Sequence, residues 1–207
     1  MLNIAVFISG GGTNLQAIIN AVKENKINGK IKLVFSNRKN AYGLIRAQSE
    51  SIYTFYLNRK KFFCNEEYDE RILEELERKN IDLIVLAGYL NILSSKFVSK
   101  YSNRIINIHP SLIPSFCGDG FYGENVHKAV IKSGVKFTGA TTHFVDENVD
   151  TGAIILQDVV PVFINDDFET VAKRVLEIEH EILVKTVKAF CDNKIVFKDN
   201  RAFIVEE

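Results

Sequence analysis

Short apolar runs alternate with amphipathic segments along the first half of the chain. Residues Leu2–Ile8 (LNIAVFI) form an almost continuous apolar run, which is typical of a strand buried on both faces of a parallel sheet. After the polar segment Ser9–Asn14, apolar residues recur at helical spacing, at Leu15, Ile18, Ile19 and Val22. A strand, a glycine loop and a helix in this order predict the opening of a βαβ unit.

The same alternation continues to the C-terminus. Further strands are predicted at Ile31–Phe35, Tyr53–Leu57, Ile81–Leu86, Arg104–Ile108, Gly139–Val145, Ala153–Leu156 with Val159–Phe163, Ile195–Phe197 and Ala202–Val205. Helices are predicted at Leu44–Ser51, Asn65–Lys79, Ser94–Lys100, Glu124–Ser133 and Phe168–Cys191. Strands that alternate with helices indicate an α/β fold. We therefore expect a Rossmann-like three-layer sandwich with a mostly parallel central sheet, formed by one domain over residues 1–207.

Composition narrows the function classes. The 26 basic and 26 acidic residues cancel, which disfavours an electrostatic nucleic-acid binder. No apolar run approaches the ~20 residues of a membrane span, and no signal peptide is expected, so we predict a cytoplasmic protein without a membrane partner. The three cysteines are Cys64, Cys117 and Cys191, and their wide spacing predicts neither a disulfide framework nor a zinc site.

The glycine loop is the first candidate for chemistry. Gly10, Gly11 and Gly12 precede Thr13 and Asn14 at the point where a strand gives way to a helix. Glycines let backbone N–H groups approach an anion, and a helix N-terminus favours negative charge, so this segment suits one phosphate group. No lysine follows at the position that NTPase loops require, and the spacing is not GxGxxG. The alternative interpretation is a tight turn with a helix cap.

A second candidate combines Asn107, His109 and Asp150. Alternation along the strand that ends near His109 places Asn107 and His109 on one face, at a carboxyl end where α/β sheets bind ligands. Asp150 begins a glycine-containing turn and is expected to orient His109 and raise its pKa. Asn107 offers N–H donors to a carbonyl oxygen. No nucleophile elbow accompanies the trio, which argues against a covalent acyl-enzyme.

Two other histidines give weaker evidence of a functional role. His127 and His180 fall within predicted helices, and we interpret both as structural residues. No pair of histidines has the spacing of helical metal ligands, and nothing completes a set of three. The sequence therefore predicts no metal.

Four segments resemble a known family. ISGGGTNLQAI, VLAGYLNIL, IINIHPSLIPSF and THFVDENVDTGAIILQ are similar to the folate-dependent formyltransferases, and the glycine loop points within that superfamily to the glycinamide ribonucleotide formyltransferases. The likeness runs from about Asn3 to Cys191. It implies transfer of the formyl group of 10-formyltetrahydrofolate to the amine of 5'-phosphoribosylglycinamide in purine biosynthesis.

The resemblance also implies roles for particular residues. Asn107, His109 and Asp150 match the catalytic residues. Gly12, Thr13, Asn14 and Glu179 match residues that hold the phosphorylated substrate. The residues that match the folate site are Asn65, Leu90, Asn91, Ile92, Leu93, Asn107, His143, Asp146, Glu147, Asn148, Val149 and Asp150. Small molecules are the implied partners of a monomer or weak homodimer.

The chain departs from the family pattern at three places. Asn91 replaces a basic residue, Asn65 replaces an arginine found in some members, and the loop Phe116–Asn125 is longer and richer in glycine. Two alternatives stay open, a formyltetrahydrofolate hydrolase and a non-catalytic nucleotide-binding α/β module. A methionyl-tRNA formyltransferase is disfavoured, because no tRNA-binding domain or basic surface is predicted.

Overall fold

The computed structural model describes residues 1–199 and 201–205. Seven strands form one sheet in the order β3-β2-β1-β4-β5-β6-β7, and two more form a small separate sheet. The strands are β1 Leu2–Ile8, β2 Gly29–Ser36, β3 Thr54–Tyr56, β4 Leu83–Leu86, β5 Ile105–His109, β6 Phe137–Phe144, β7 Ile154–Pro161, β8 Ile195–Lys198 and β9 Arg201–Ile204.

Helices connect most of these strands. They are α1 Thr13–Lys23, α2 Tyr42–Ser49, α3 Asn65–Arg78, α4 Ser95–Lys100, α5 Glu124–Ser133 and α6 Phe168–Cys191. A short 3-10 turn at Arg59–Lys61 was not predicted. Within the part of the chain that the structure describes, no helix is long and apolar enough to cross a membrane.

Strands β1 to β5 pair in parallel, whereas β5–β6 and β6–β7 pair antiparallel. The predicted α/β class with a mostly parallel sheet is confirmed. The strand predicted at Ala153–Leu156 with Val159–Phe163 is β7, which is continuous because Gln157 and Asp158 also pair with β6. The register of β5 and β6 sets Asn107 opposite His143 and His109 opposite Thr141.

Each face of the sheet is covered by its own layer of helices. Along β1, Ile4, Val6 and Ile8 pack in one apolar cluster, whereas Ala5 and Phe7 pack in the other, as strand alternation requires. The first cluster joins the sheet to α1, α2, α5 and α6, which we call the α1 layer. The second joins it to α3 and α4, which we call the α3 layer.

The glycine loop packs directly on α2. Gly12 has φ of +72°, and a Cβ there would lie 2.7 Å from the Cα of Gly43. A Cβ on Gly43 would in turn lie 2.3 Å from the Cδ1 of Ile8. Glycine is therefore required at position 12 for its positive φ and for the close approach of the α2 backbone, whatever the loop binds.

Candidate active site

A cavity of about 520 Å³ lies at the carboxyl edge of the sheet. Its volume is within the range of small-molecule sites. It is lined by Asn14, Leu86, Gly88–Leu93, Asn107–Pro110, Gly118–Gly123, His127, His143, Val145–Asp150 and Glu179. Parallel strands place their carboxyl ends together, which explains why residues distant in sequence meet here.

Asn107 is oriented by His143 on the neighbouring strand. The Nδ1 of His143 donates to the carbonyl oxygen of Phe144 at 2.8 Å, and in the neutral ring its Nε2 is then an acceptor. The Nδ2 of Asn107 lies 3.1 Å from this Nε2 and donates to it. One N–H of the Asn107 amide is thereby fixed, and its second N–H is left to donate elsewhere.

His109 is buried, and acceptors face both of its ring nitrogens. Its Nε2 donates to the carbonyl oxygen of Phe116 at 2.9 Å, and its Nδ1 lies 3.5 Å from the Oδ2 of Asp150. The hydroxyl of the fully buried Ser111 also donates toward the Phe116 carbonyl, at 3.3 Å. The structure thus brings together His109 and Asp150.

Asp150 lies in the tight connection between β6 and β7. Its φ is +58°, in the left-handed region that Asp tolerates better than most residues. A Cβ on Gly152 would lie 1.8 Å from the carbonyl oxygen of Phe144, so the turn needs glycine there. The backbone N–H of Gly118 donates to Asp150 Oδ2 at 3.0 Å.

The carboxylate form of Asp150 is favoured. Burial alone raises the pKa of Asp150, but the charged form of His143, the Gly118 N–H and the charged form of His109 together hold that pKa below its usual range. Asp150 therefore supplies a buried negative charge between His109 and His143, whose Nε2 is 3.6 Å from Oδ1.

Burial outweighs the effect predicted for Asp150 on His109. The sequence predicts that Asp150 raises the pKa of His109, and its charge does act in that direction. Burial has the larger effect, however, and the net pKa of His109 is lowered. His109 is therefore neutral at neutral pH, because desolvation penalises the imidazolium more than one carboxylate at 3.5 Å stabilises it.

Asn14 and Glu179 meet at the other end of the cavity. The Asn14 Nδ2 donates to Glu179 Oε2 at 2.7 Å, joining the first turn of α1 to the middle of α6. Burial raises the pKa of Glu179 to about 7, so its carboxyl is partly protonated at neutral pH. Gly12 and Thr13 do not line the cavity themselves but directly precede Asn14.

The predicted folate residues fall into two groups. Leu90–Leu93 and Asp146–Val149 line the cavity from two facing loops, together with His143. The Leu90 N–H donates to the Ser9 hydroxyl, and Asn91 accepts from Asn37, so the first loop is tied to the glycine loop and β2. Asn65 is not in the lining, and its Oδ1 accepts a hydrogen bond from Arg59, so its predicted role stays a prediction.

Sequence reasoning missed several residues of this cavity. Tyr89 lines it, and His127, interpreted as structural, does so as well. Phe121 and Tyr122 also line it, but they belong to the loop Phe116–Asn125, which the sequence already singles out. Outside the cavity lining, Arg46, 35 residues from Gly11 in sequence, donates to the Gly11 carbonyl at 2.9 Å. The glycines around Tyr122 were a signal for a binding loop, whereas nothing local marks Arg46 or His127.

The arrangement of the described side chains also bears on whether the protein binds a metal ion. Over residues 1–199 and 201–205, no group of three or more His, Cys, Asp or Glu side chains is arranged to hold a metal ion. The expectation that the protein uses no metal remains a prediction.

The fold and the cavity define an α/β enzyme that binds its ligands at the carboxyl edge of a mostly parallel sheet. The chain belongs to the formyl transferase family, whose model matches residues 2–187.

Individual relatives agree over nearly the whole chain. A phosphoribosylglycinamide formyltransferase of Haemophilus influenzae is 44% identical over 99% of this chain and 94% of its own length. The Escherichia coli protein of the same name is 40% identical over 98% of this chain and 93% of its own. The crystal structure of glycinamide ribonucleotide transformylase 1 from Symbiobacterium toebii superimposes with a TM-score of 0.94 at 37% identity, covering 100% of this chain and 95% of that one.

Proposed function

We propose that the protein transfers the formyl group of 10-formyltetrahydrofolate to the amine of 5'-phosphoribosylglycinamide in purine biosynthesis. The products are formylglycinamide ribonucleotide and tetrahydrofolate. The observation that carries the proposal is the convergence of Asn107, His109 and Asp150 in one cavity. The family and the names of its similar members support the reaction class. We propose further that one cytoplasmic domain, without a metal, performs this reaction.

The acceptor substrate occupies the α1-layer side of the cavity. Its phosphate lies at the N-terminus of α1, where the N–H groups of the first turn have no intrahelical partners and the first turn itself carries no acidic residue. Asn14 and Glu179 take the ribosyl-glycinamide part, because both side chains are buried and line the cavity next to that helix end.

The folate donor occupies the opposite side. Leu90 and Ile92 are 43% and 68% exposed at the rim, and Tyr122 is 57% exposed on the facing loop. Apolar side chains left open at a cavity rim fit the flat aromatic rings of a folate, which would cover them. Asp146–Val149 offer backbone groups for the polar edge of the pterin ring.

Asn107 stabilises the charge that develops in the reaction. The substrate amine attacks the formyl carbon, a C–N bond forms, and the formyl oxygen becomes negative. Because one N–H of Asn107 is held by His143, the amide is already oriented and its other N–H donates to that oxygen. Preorganised donors of this kind contribute about a hundred- to a thousand-fold in rate.

His109 and Asp150 carry out the proton transfer from the substrate amine to the folate nitrogen. Neutral His109 has a free lone pair on Nδ1, because Nε2 donates to Phe116. Nδ1 takes the proton that the attacking amine must lose, and the resulting imidazolium is stabilised by Asp150. The same proton then goes to the folate nitrogen as its bond to the formyl carbon breaks. General acid–base catalysis of this kind contributes about a hundred- to ten-thousand-fold.

A spectroscopic assay with purified protein tests the proposal. The protein is mixed with a 10-formyl-folate, with and without glycinamide ribonucleotide, and loss of the formyl group is followed. Deformylation that requires the acceptor supports the transferase. Equal release without the acceptor would contradict it and favour the hydrolase.

A thermal unfolding scan tests the remaining alternative. A ligand that binds only the native state raises the melting temperature with its concentration. The proposal expects stabilisation by folates and by the phosphorylated acceptor. Stabilisation by free nucleotides alone would favour a non-catalytic nucleotide-binding module.

A further inference from the structure

Four buried side-chain atoms have no hydrogen-bond partner among the described residues. They are Asn14 Oδ1, His127 Nδ1, Thr138 Oγ1 and His180 Nε2. Buried polar atoms in native proteins are nearly always paired, so each exception needs an explanation. Two of the four side chains, Asn14 and His127, line the cavity, whereas Thr138 and His180 do not. A bound ligand is the natural partner for the first two.

His127 lies on the acceptor side of that cavity. It is in the first turn of α5, with only 6% of its surface exposed. Helix α5 packs on α6, and α6 packs on α1, so His127, Glu179 and Asn14 belong to three helices of one layer. Of the segments assigned to the folate side, Leu90–Leu93 and Asp146–Val149 follow β4 and β6, whereas Tyr122 lies in the loop that precedes α5.

The chemistry of His127 limits what it binds. Burial and the nearby His109 ring lower the pKa of His127 to about 4, so the imidazole is neutral. A neutral imidazole offers one N–H donor and one acceptor nitrogen, and no charge. It therefore suits an uncharged hydroxyl or amide, and it is a poor partner for a phosphate.

We propose that His127 is a positioning residue for the acceptor, forming a hydrogen bond with a hydroxyl or amide of its ribosyl-glycinamide part. This inference rests on the proposed function, since that function supplies the acceptor. The contact leaves the folate donor untouched and holds the reacting amine in place beside His109. His127 thus completes a polar wall with Asn14 and Glu179.

Steady-state kinetics of two variants test the role of His127. His127→Leu removes both ring nitrogens and is expected to raise KM for glycinamide ribonucleotide about tenfold, the usual loss for one hydrogen bond. KM for the folate should stay unchanged. His127→Asn, whose amide reaches the position of Nδ1, should recover most of the loss. The effect should persist with the phosphate-free acceptor, because the contact is not with the phosphate.

His180→Asn is the matched control. His180 is also helical with a buried unpartnered nitrogen, but it lies outside the cavity lining, so its KM values should match the wild type. An unchanged acceptor KM in His127→Leu, or equal rises for both substrates, would overturn the inference. Should His127→Leu fail to fold, His127→Ala replaces it in the test. A wild-type acceptor KM in both His127→Ala and His127→Asn would then overturn the inference.

Failure of the proposed function can be distinguished from failure of the inference about His127. It would appear as wild-type protein that transfers no formyl group. Calorimetric titration of glycinamide ribonucleotide into wild-type and His127→Leu protein then tests the contact without catalysis. Wild-type binding that weakens about tenfold in His127→Leu supports the inference, and no difference between the two, or no wild-type binding, contradicts it.

Discussion

The two helical layers treat buried polar groups differently. In the α3 layer, the buried Asp69 accepts the Ser94 N–H at 2.8 Å, and the hydroxyls of Tyr68 and Tyr89 meet at 3.5 Å. In the α1 layer and the strand face against it lie all four unpartnered side-chain atoms found among the described residues. Among the described residues, the buried side-chain atoms of the α3 layer are paired within the protein, whereas the α1 layer keeps unpaired atoms with which a ligand can form hydrogen bonds.

Two buried carboxyls show the same contrast. Asp69 is 3% exposed and Glu179 is 8% exposed, and burial raises the pKa of both. Asp69 caps the start of α4 by accepting a backbone N–H, which is a structural use. Glu179 accepts only from Asn14, whose own Oδ1 remains unpaired. We infer that the buried polar groups of the α3 layer serve stability, whereas those of the α1 layer serve binding of the acceptor.

The largest effect is expected from a substitution that creates a cavity in the α3 layer. Phe97 is fully buried, edge-on to Phe7 and stacked on Tyr101. Phe97→Ala should lower the free energy of unfolding by about 3–5 kcal/mol through cavity formation. Chemical denaturation measures this change. At a temperature where the variant is folded, its KM values should match the wild type, and a selective rise in acceptor KM would break the division between the layers.

The next effect concerns catalysis at the sheet edge. Asn107→Ala removes the oriented donor and should lower kcat about a hundred- to a thousand-fold. Its melting temperature should change little, because Asn107 is only half-buried. Asn20→Ala, an exposed asparagine on α1, is the control. A wild-type kcat in Asn107→Ala would remove Asn107 from the mechanism.

Glu179 should make stability depend on pH. Its pKa rises from an ordinary 4.5 to about 7 in the fold, so between these values the native state holds a proton that the unfolded chain releases. The free energy of unfolding therefore falls as pH rises through this window, by on the order of 2 kcal/mol. Glu179→Gln, which cannot ionise, should lose that part of the pH dependence.

Denaturation curves at pH 5 and pH 8 measure the difference. Glu177→Gln, on the exposed neighbour in α6, serves as the control and should keep the wild-type dependence. Equal pH dependence in Glu179→Gln and the wild type would show that Glu179 is not held protonated, and would weaken the contrast with Asp69.

The smallest effect is expected at the glycine loop. Gly12→Val is a poor probe, because its Cβ would meet Gly43 and disturb the loop itself. Thr13→Val removes only a hydroxyl and should raise the acceptor KM about three- to tenfold, in line with one lost hydrogen bond. The change should vanish with the phosphate-free acceptor. A rise that persists there would place the phosphate elsewhere.

Local pattern was sufficient for most of the fold. The apolar run Leu2–Ile8 and the stripe of Phe168–Cys191 predicted β1 and α6 with the observed bounds. The strand predicted at Ala153–Leu156 with Val159–Phe163 leaves out Gln157 and Asp158, two polar residues that continue the pairing of β7. Edge strands tolerate such residues because one side of the strand faces solvent.

The site was only partly predictable. Asn107 and His109 follow from strand parity, and Asp150 was placed near them through its turn. The carbonyl of Phe116 and the N–H of Gly118 were not foreseen, since backbone contacts of a loop leave no side-chain signature. The lowered pKa of His109 depends on burial, which is a property of the assembled fold. His127 needed the packing of α5 on α6 to be seen.

Product identity tests the central claim most directly. A folate donor carrying a ¹³C-labelled formyl group is incubated with the protein and glycinamide ribonucleotide, and the label is followed by NMR. The account predicts that the signal moves to a formamide carbon on the acceptor at the rate of donor loss, and that no label moves without the acceptor. Label that appears as free formate in both reactions would contradict the account.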